Sequence, residues 1–506
     1  MISPLTYIEK QIDGTTMYRV VLYALLLLVG YSLCLSAFSL LPYTLTEQLL
    51  SLAVISGVTL VGHVLLRRMW SAAANYESSI ITALILFFLI SPGQTGTIVV
   101  VLALAAVIAM LSKYLFAIRR QHIINPAAAG IAALSATHFY EATWWIGTPE
   151  FFVPLVLVGA AVVYKVRKWA MAISFLAVGW AVFLFEEWRF GLDIFSTWSV
   201  YWLSYPALFL VFFMLTEPFT TPPTKRLQIA YGAVVGFLSS TALLQPWVAM
   251  SPELALIIGN LAFYPSTLRR KLYLTLQETR EIAQDTFEYV FVKPNGLVFQ
   301  AGQYLEWMLP HKAADTRGPR RYFTIASAPT ESVVRVAMKH VPNDGSTYKA
   351  ALRQLVPGEQ IIASQLAGDF VLPKDPQQKI AAVAGGIGVT PFRSHLQYLV
   401  DTRQETDYVL YYCNNYHADA AYVDEFANMA TQISLRVVSI LSKEVLPDTE
   451  HGYLTADIIA HHTPDYLERC WYLSGPPGMV RAYEKLLRTM HVPTSQIVKD
   501  FFPGLA

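Results

Sequence analysis

Cysteine is scarce in this chain. Three residues in 506, Cys34, Cys413 and Cys470, are too few and too scattered for a four-thiolate iron-sulfur cluster or a zinc site, so a redox centre here would be organic or haem. Charge is scarce as well: Asp, Glu, Lys and Arg make up 14% of residues, and 37 Lys and Arg against 36 Asp and Glu leave a net charge of +1. That balance carries no signal for nucleic acid. A cleavage-like small-residue site is also missing after the first apolar run, so the polar start, Met1 to Thr16, reads as leading into a retained first span rather than a signal peptide.

Apolar residues take the place of charge. They make up 54% of the chain, with a mean hydropathy of +0.41, and they concentrate before about Tyr273. This predicts a multidomain membrane protein with a soluble extension, in contact with a lipid bilayer. Ten apolar runs stand before that point, beginning with Met17 to Leu41 and ending with Leu254 to Tyr264; those at Ser78 to Ile90, Asn125 to Thr137 and Leu254 to Tyr264 are short. Cations gather in alternate connections: Arg67 and Arg68, Lys113 with Arg119 and Arg120, Lys165 with Arg167 and Lys168, Lys225 and Arg226, and Arg269 to Lys271. Ten spans with both termini cytoplasmic put every such cluster on the cytoplasmic side of the cell membrane. The expectation is an all-α transmembrane bundle of about ten helices over residues 1–271.

Two segments differ from plain lipid-facing helix. One runs from Lys113-Tyr114 through His122-Ile123-Ile124 to Asn125-Pro126-Ala127-Ala128, where Asn-Pro before small residues marks a broken helix with free N–H groups. The other is Glu217-Pro218-Phe219-Thr220, an acid beside a proline break. Together they resemble the membrane subunits of the sodium-pumping NADH:quinone reductase (its B subunit) and the Rnf complex (its D subunit), an NqrB/RnfD-like family. The resemblance implies a flavin, here a non-covalent FMN near Asn125, Pro126 and Glu217. The family's covalent attachment signature is not found; the nearest string, Leu134-Ser135-Ala136-Thr137, lacks its glycine and preceding acid. Haem requires facing histidine pairs, and His63, His122 and His138 fall at different depths.

After Lys271 the pattern changes to short alternating segments with Gly and Pro turns, including Tyr273 to Arg280, Phe287 to Val292 and Val333 to Lys339, predicting an antiparallel β-barrel over 272–376. Within it Arg321-Tyr322-Phe323-Thr324-Ile325-Ala326-Ser327 offers a cation, an aromatic wall and hydroxyls, as a flavin diphosphate requires. Gly345-Ser346-Thr347 then opens a short helix. From Lys379 strands and helices alternate, predicting an α/β nucleotide-binding domain over 377–506. Gly385-Gly386-Ile387-Gly388-Val389-Thr390-Pro391 lies between a strand and a helix, and Ser474-Gly475-Pro476-Pro477-Gly478-Met479 follows a later strand.

As an ordered set these motifs resemble the ferredoxin-NADP reductase superfamily. The resemblance implies FAD, with Arg321 on its phosphate, Phe323 and Thr324 lining its ring, and Ser346 and Thr347 at the pyrophosphate; Tyr322, Ser327 and Gly345 are further cofactor-binding candidates. Gly385, Gly386, Gly388 and Pro391, with Gly475, Pro476 and Met479, would hold NAD(P)H, and Thr390, Ser474 and Phe502 would stand nearest the transferred hydride. Ser474 replaces the family's usual cysteine. Asn414, Asn415 and Tyr416 stand where a cation often meets a 2′-phosphate, which leans toward NADH. The resulting expectation is a membrane NAD(P)H oxidoreductase passing electrons through FAD to a membrane-domain flavin, with quinone, ferric chelate, oxygen or an extracytoplasmic flavoprotein as acceptor. Its rivals are a haem-containing ferric or oxygen reductase, and an ion or flavin transporter with a tethered reductase.

Overall fold

A computed structural model describes the chain except for residues 1–11, 13–14, 71–75, 119–120, 192, 219, 242–249, 267–270, 312–318, 341–345 and 501–506. It divides into two compact units, Met1–Thr267 and Leu268–Ala506.

The first unit is helical. Its helices start where short polar side chains can meet free N–H groups: Thr16 accepts from Arg19 at the head of Met17–Ala37, and Thr95 from Ile98 at the head of Gly96–Leu115. Asn125 caps Pro126–Ala136 by accepting from Ala128, with Pro126 in the first turn, where its missing donor costs nothing. Each predicted apolar run carries a helix. Among the described residues five helices are long and apolar enough to cross a membrane, or six if the pair Ile194–Leu203 and Ala207–Leu215, bent by 45°, is one span, against the ten spans expected. Pro126–Ala136, with 11 residues, reaches only about 16 Å at the helical rise, roughly half a bilayer core. Tyr76–Leu89 is apolar for another reason. Its run from Ala83 to Leu89 is buried on all sides, so it meets protein rather than lipid. Ahead of the Pro126 helix, β1 (Ala117–Ile118) and β2 (Gln121–His122) form a small antiparallel turn that brings His122 inward.

The second unit holds two six-stranded sheets. The first contains β3 (Leu272–Ala283), β4 (Thr286–Val292), β5 (Tyr304–Met308), β6 (Arg320–Thr324), β7 (Val333–Lys339) and β8 (Gln360–Ala367), all antiparallel, in the order β6-β5-β8-β3-β4-β7. Alternation of buried and exposed positions at the start of β3 shows the one-sided core. The expected barrel is corrected to an open sheet. β6 has five residues and the chain turns away before a ladder with β7 is established, so the two edges meet where the Ala326 N–H donates to the Arg335 carbonyl at 2.8 Å. The second sheet is parallel, in the order β12-β11-β10-β9-β13-β14. It comprises β9 (Ile380–Gly385), β10 (Tyr408–Asn414), β11 (Leu435–Leu441), β12 (Glu450–His451), β13 (Cys470–Ser474) and β14 (Ile497–Asp500). Every residue of β9 is buried, as a central strand with both faces covered demands.

Candidate active site

Strand order locates the cleft of the C-terminal unit. From β9 the chain builds outward through β10, β11 and β12 on one side, then returns to add β13 and β14 on the other, and ligands of open α/β sheets bind outside the carboxyl ends of the strands at such a reversal. Both glycine motifs lie there. Gly386 has φ +52°, a conformation open to glycine at little cost. A Cβ on Gly388 would stand 2.7 Å from both Gly475 Cα and the Ser474 carbonyl, and one on Gly385 would stand 2.4 Å from Met479 Sδ and 3.0 Å from Pro476 Cδ. These glycines therefore let the two loops press on each other and form one surface. Thr390 and Pro391 open the helix Thr390–Thr402 beside it, both buried.

Two buried acceptors face this end of the sheet without a hydrogen-bond partner among the described residues: Asn414 Oδ1 at the end of β10 and Asp500 Oδ2 at the end of β14. Unsatisfied buried acceptors call for donors from elsewhere. Ser474 pairs with Ala384 on one side and Asp500 on the other. Burial pushes the Asp500 carboxyl up to about 7. Its charge is felt at Tyr304 on β5, whose phenol burial and the neighbouring Asp500 and Asp369 push up further, so the end of β14 adjoins the antiparallel sheet. Asp500 was not among the predicted site residues; the only signal was an acid just before the closing aromatics, and its neighbours depend on a strand pairing that spacing does not reveal. Phe502 lies outside the described residues.

In the antiparallel sheet, β6 is an edge strand paired only with β5, in the register Thr324–Tyr304, Phe323–Leu305, Tyr322–Glu306 and Arg321–Trp307. The Arg321 guanidinium lies 5.2 Å over the Tyr348 ring, which draws it to the turn where Ser346 caps Thr347–Arg353 by accepting from Lys349. Arg321, Ser346 and Thr347 are thus brought together; Gly345 lies outside the described residues. Thr347 Oγ1 is 2.9 Å from His311 Nε2. Tyr322 stands half-buried, its ring edge-on to Tyr304 at 5.7 Å, while Phe323 is buried against Tyr348 at 5.9 Å. Ser327 is a joint rather than a wall: its hydroxyl accepts from Arg335 N at 3.1 Å and its carbonyl from Ser394 Oγ at 2.7 Å.

A cation does stand near Asn415 and Tyr416, on the neighbouring strand end. Lys443 Nζ is 5.8 Å from the Tyr416 ring centre, and Ser442 Oγ donates to Asn415 Oδ1 at 2.8 Å. The residues that follow β10 in sequence do not reveal it, because the sheet, not the spacing, sets β11 beside β10.

In the helical unit, a small cavity of about 50 Å³ is lined by Asn125, Pro126 and Glu217 together with Tyr18, Ser78, Thr82, Thr216, Phe213 and further apolar side chains. Its polar end is ordered. Glu217 Oε1 is 2.6 Å from His122 Nε2, Glu217 Oε2 accepts from Asn125 Nδ2 at 2.8 Å, Asn125 N donates to Asn260 Oδ1 at 2.9 Å, and Asn260 Nδ2 reaches Tyr231 Oη at 2.6 Å. Lys113 Nζ donates to the carbonyl and hydroxyl of Ser78 at 2.9 and 3.1 Å, which sets a cation behind that wall. The mix of apolar wall and few polar groups is that of a small-molecule site. His63 turns instead to Ser79, at 3.0 Å. Among the described residues no group of three or more His, Cys, Asp or Glu is placed to hold a metal ion.

Residues 382–485 match the family described as Oxidoreductase NAD-binding domain. The chain is 27% identical to the reductase subunit of an aromatic O-demethylase from Amycolatopsis sp. over 46% of this chain and 70% of that protein. It is 27% identical to the reductase component of propane 2-monooxygenase from Rhodococcus jostii over 42% and 58%, and 28% identical to a flavohemoprotein of Xylella fastidiosa over 40% and 51%. It thus spans between about half and 70% of the length of these relatives. Among solved structures, that of the Amycolatopsis cytochrome P450 reductase GcoB matches with 27% identity and a TM-score of 0.42, over 46% of this chain and 70% of that one. Residues 382–485 are thus similar to the NAD-binding domains of oxidoreductases, and the chain is an oxidoreductase.

Proposed function

We propose that the chain is a membrane-bound NAD(P)H:acceptor oxidoreductase, in which electrons pass from NAD(P)H through FAD in the C-terminal unit to a non-covalent flavin, FMN, in the helical unit, and from there into or across the bilayer. The observation that carries this reading is the buried polar cluster in which Glu217 meets His122 and Asn125 beside a small cavity, in a unit with membrane-length helices and on the same chain as an oxidoreductase NAD-binding domain. FAD, when bound, accepts a hydride and releases its electrons singly, which a nicotinamide does not do.

The residues position and neutralise. Arg321 offers its guanidinium to the pyrophosphate, with Ser346 and Thr347 at the same turn. Tyr322, Phe323 and Thr324 form the wall against the ring. The pressed loops at Gly388 and Gly475 leave one seat for the nicotinamide, between Thr390 and Ser474, and bar water from it. Asp500, its carboxyl raised by burial to about 7, is partly protonated near neutral pH and so carries less negative charge beside the hydride's path. In the cavity, the hydrogen bonds of His122 and Asn125 to Glu217 spread its charge, and Asn125, Thr82 and Thr216 present polar groups to a ring edge.

Quinone, a ferric chelate, oxygen and an extracytoplasmic flavoprotein all suit a one-electron donor of this kind. Flavin extraction from detergent-purified protein tests the proposal: one FAD and one FMN per chain is the expected yield. One flavin per chain removes the membrane relay, and a reduced-minus-oxidised Soret band replaces it with haem.

A further inference from the structure

A run of buried charge joins the flavin sheet to the nucleotide sheet, and the hydride cleft makes no use of it. Arg393, one turn into the helix that Thr390 opens, is 3% exposed. Its Nη1 donates to Glu331 Oε2 at 2.5 Å and to the Ala326 carbonyl at 3.2 Å, and its other side meets Glu425 Oε2 at 3.0 Å. Glu331 continues the run to Arg335 Nε at 2.9 Å. Arg335 Nη1 reaches the wholly buried Glu288 at 2.8 Å, and Glu288 also takes Arg280 at 2.6 Å and the Tyr422 hydroxyl at 2.8 Å. Arg280, Arg335 and Arg393 thereby offset Glu288, Glu331 and Glu425. Ser394 makes a second tie across the same boundary, to the Ser327 carbonyl.

Net stability is a weak reason to bury so many charges, since desolvation consumes most of the Coulombic gain. Geometry is a better one. The guanidinium is a rigid planar fork, and this fork grips a carbonyl two residues beyond Thr324 while belonging to the helix that begins at Thr390. It therefore sets the spacing between the strand that carries Arg321 to Ser327 and the loop that carries Gly385 to Thr390. We infer that Arg393 is a positioning residue for hydride transfer: through Ala326 and Glu331 it fixes the approach of the nicotinamide to the flavin. The inference rests on the cleft reading given above and adds a residue that touches neither ring.

The test is anaerobic rapid mixing of the full-length, FAD-loaded protein with NADH and with NADH deuterated at the transferred position. It compares the unaltered chain with Arg393→Gln, Arg393→Lys and Ser394→Ala. A displacement of about 1 Å at the reacting atoms slows transfer about 100-fold, so Arg393→Gln is expected to slow flavin bleaching about 10- to 100-fold. Its FAD content and NADH dissociation constant stay near those of the unaltered chain, and its deuterium isotope effect rises. Arg393→Lys, with charge but no fork, recovers part of the rate. Ser394→Ala, expected to cost a few-fold, carries the test if Arg393→Gln fails to fold. Bleaching of Arg393→Gln at the unaltered rate, or slowing explained wholly by lost FAD or weaker NADH binding, overturns the inference. An unaltered chain that holds FAD yet is not bleached by NADH overturns the cleft reading itself.

Discussion

Replacing Asp500 by asparagine removes a carboxyl that the fold prefers to keep protonated. Burial raises it from 3.8 to about 7, so between those values the folded chain binds a proton that the unfolded chain releases. The sign follows: stability from this group is complete below pH 3.8 and is lost as pH rises through 7. At about 1.36 kcal/mol for each tenfold change in acidity, the whole span amounts to about 4 kcal/mol as an upper bound. The two proteins should melt together at pH 4, and the Asp500→Asn variant should gain steadily above that. At pH 8 its advantage should reach several degrees, at about 2–4 °C per kcal/mol for a unit of this size. The assay is thermal unfolding of the C-terminal transition in both proteins across pH 4 to 8.5, read as the difference between them. Other titrating groups cancel in that difference, including Asp465, which Arg469 and Lys379 hold down at about 2. Parallel curves with a pH-independent offset would refute the burial argument.

Arg321→Ala should weaken FAD retention about 10- to 100-fold, the loss of one charge-assisted contact, read as flavin content after gel filtration. Lys443→Gln should raise the KM for NADPH while leaving that for NADH unchanged, because only a 2′-phosphate meets the added cation; equal effects on both would place Lys443 elsewhere. Glu217→Gln and Asn125→Ala should each lower the second flavin's occupancy without changing FAD content, as measured by flavin extraction. Arg469, buried between Asp407 and Asp465 at 2.7 and 2.8 Å, should cost about 1 kcal/mol when replaced by leucine, because both carboxylates still reach water and Asp465 keeps Lys379; chemical denaturation reads that loss.

The motif segments of the C-terminal half are legible because each is a short local string: Arg321 falls within β6, and the Gly385 and Gly475 turns stand at the ends of β9 and β13. What escapes are features that need two distant segments. β8, Gln360–Ala367, alternates poorly, and β14, Ile497–Asp500, has only four residues; without them neither the open seam of the first sheet nor the placing of Asp500 beside Ser474 can be derived. The Glu288 to Arg393 network draws on separate strands, turns and helices, so no window contains it. In the helical half, hydropathy overcounts spans because it records removal from water and not contact with lipid. Tyr76–Leu89 is as apolar as a span while packed inside the unit. The Asn125 and Glu217 segments, by contrast, pair from the sequence alone and meet at 2.8 Å in the fold, since a helix break and a nearby acid each mark irregular backbone that needs polar company.

The contact between Gly388 and Gly475 has a practical side. Two backbones that leave no room for a methyl group between them cannot drift separately: enlarging either would have to be answered on the far side of a long stretch of chain. Anyone grafting this cofactor preference onto another scaffold must carry both turns and the strands beneath them as one cartridge, because a crossover placed between them would join halves shaped for different partners.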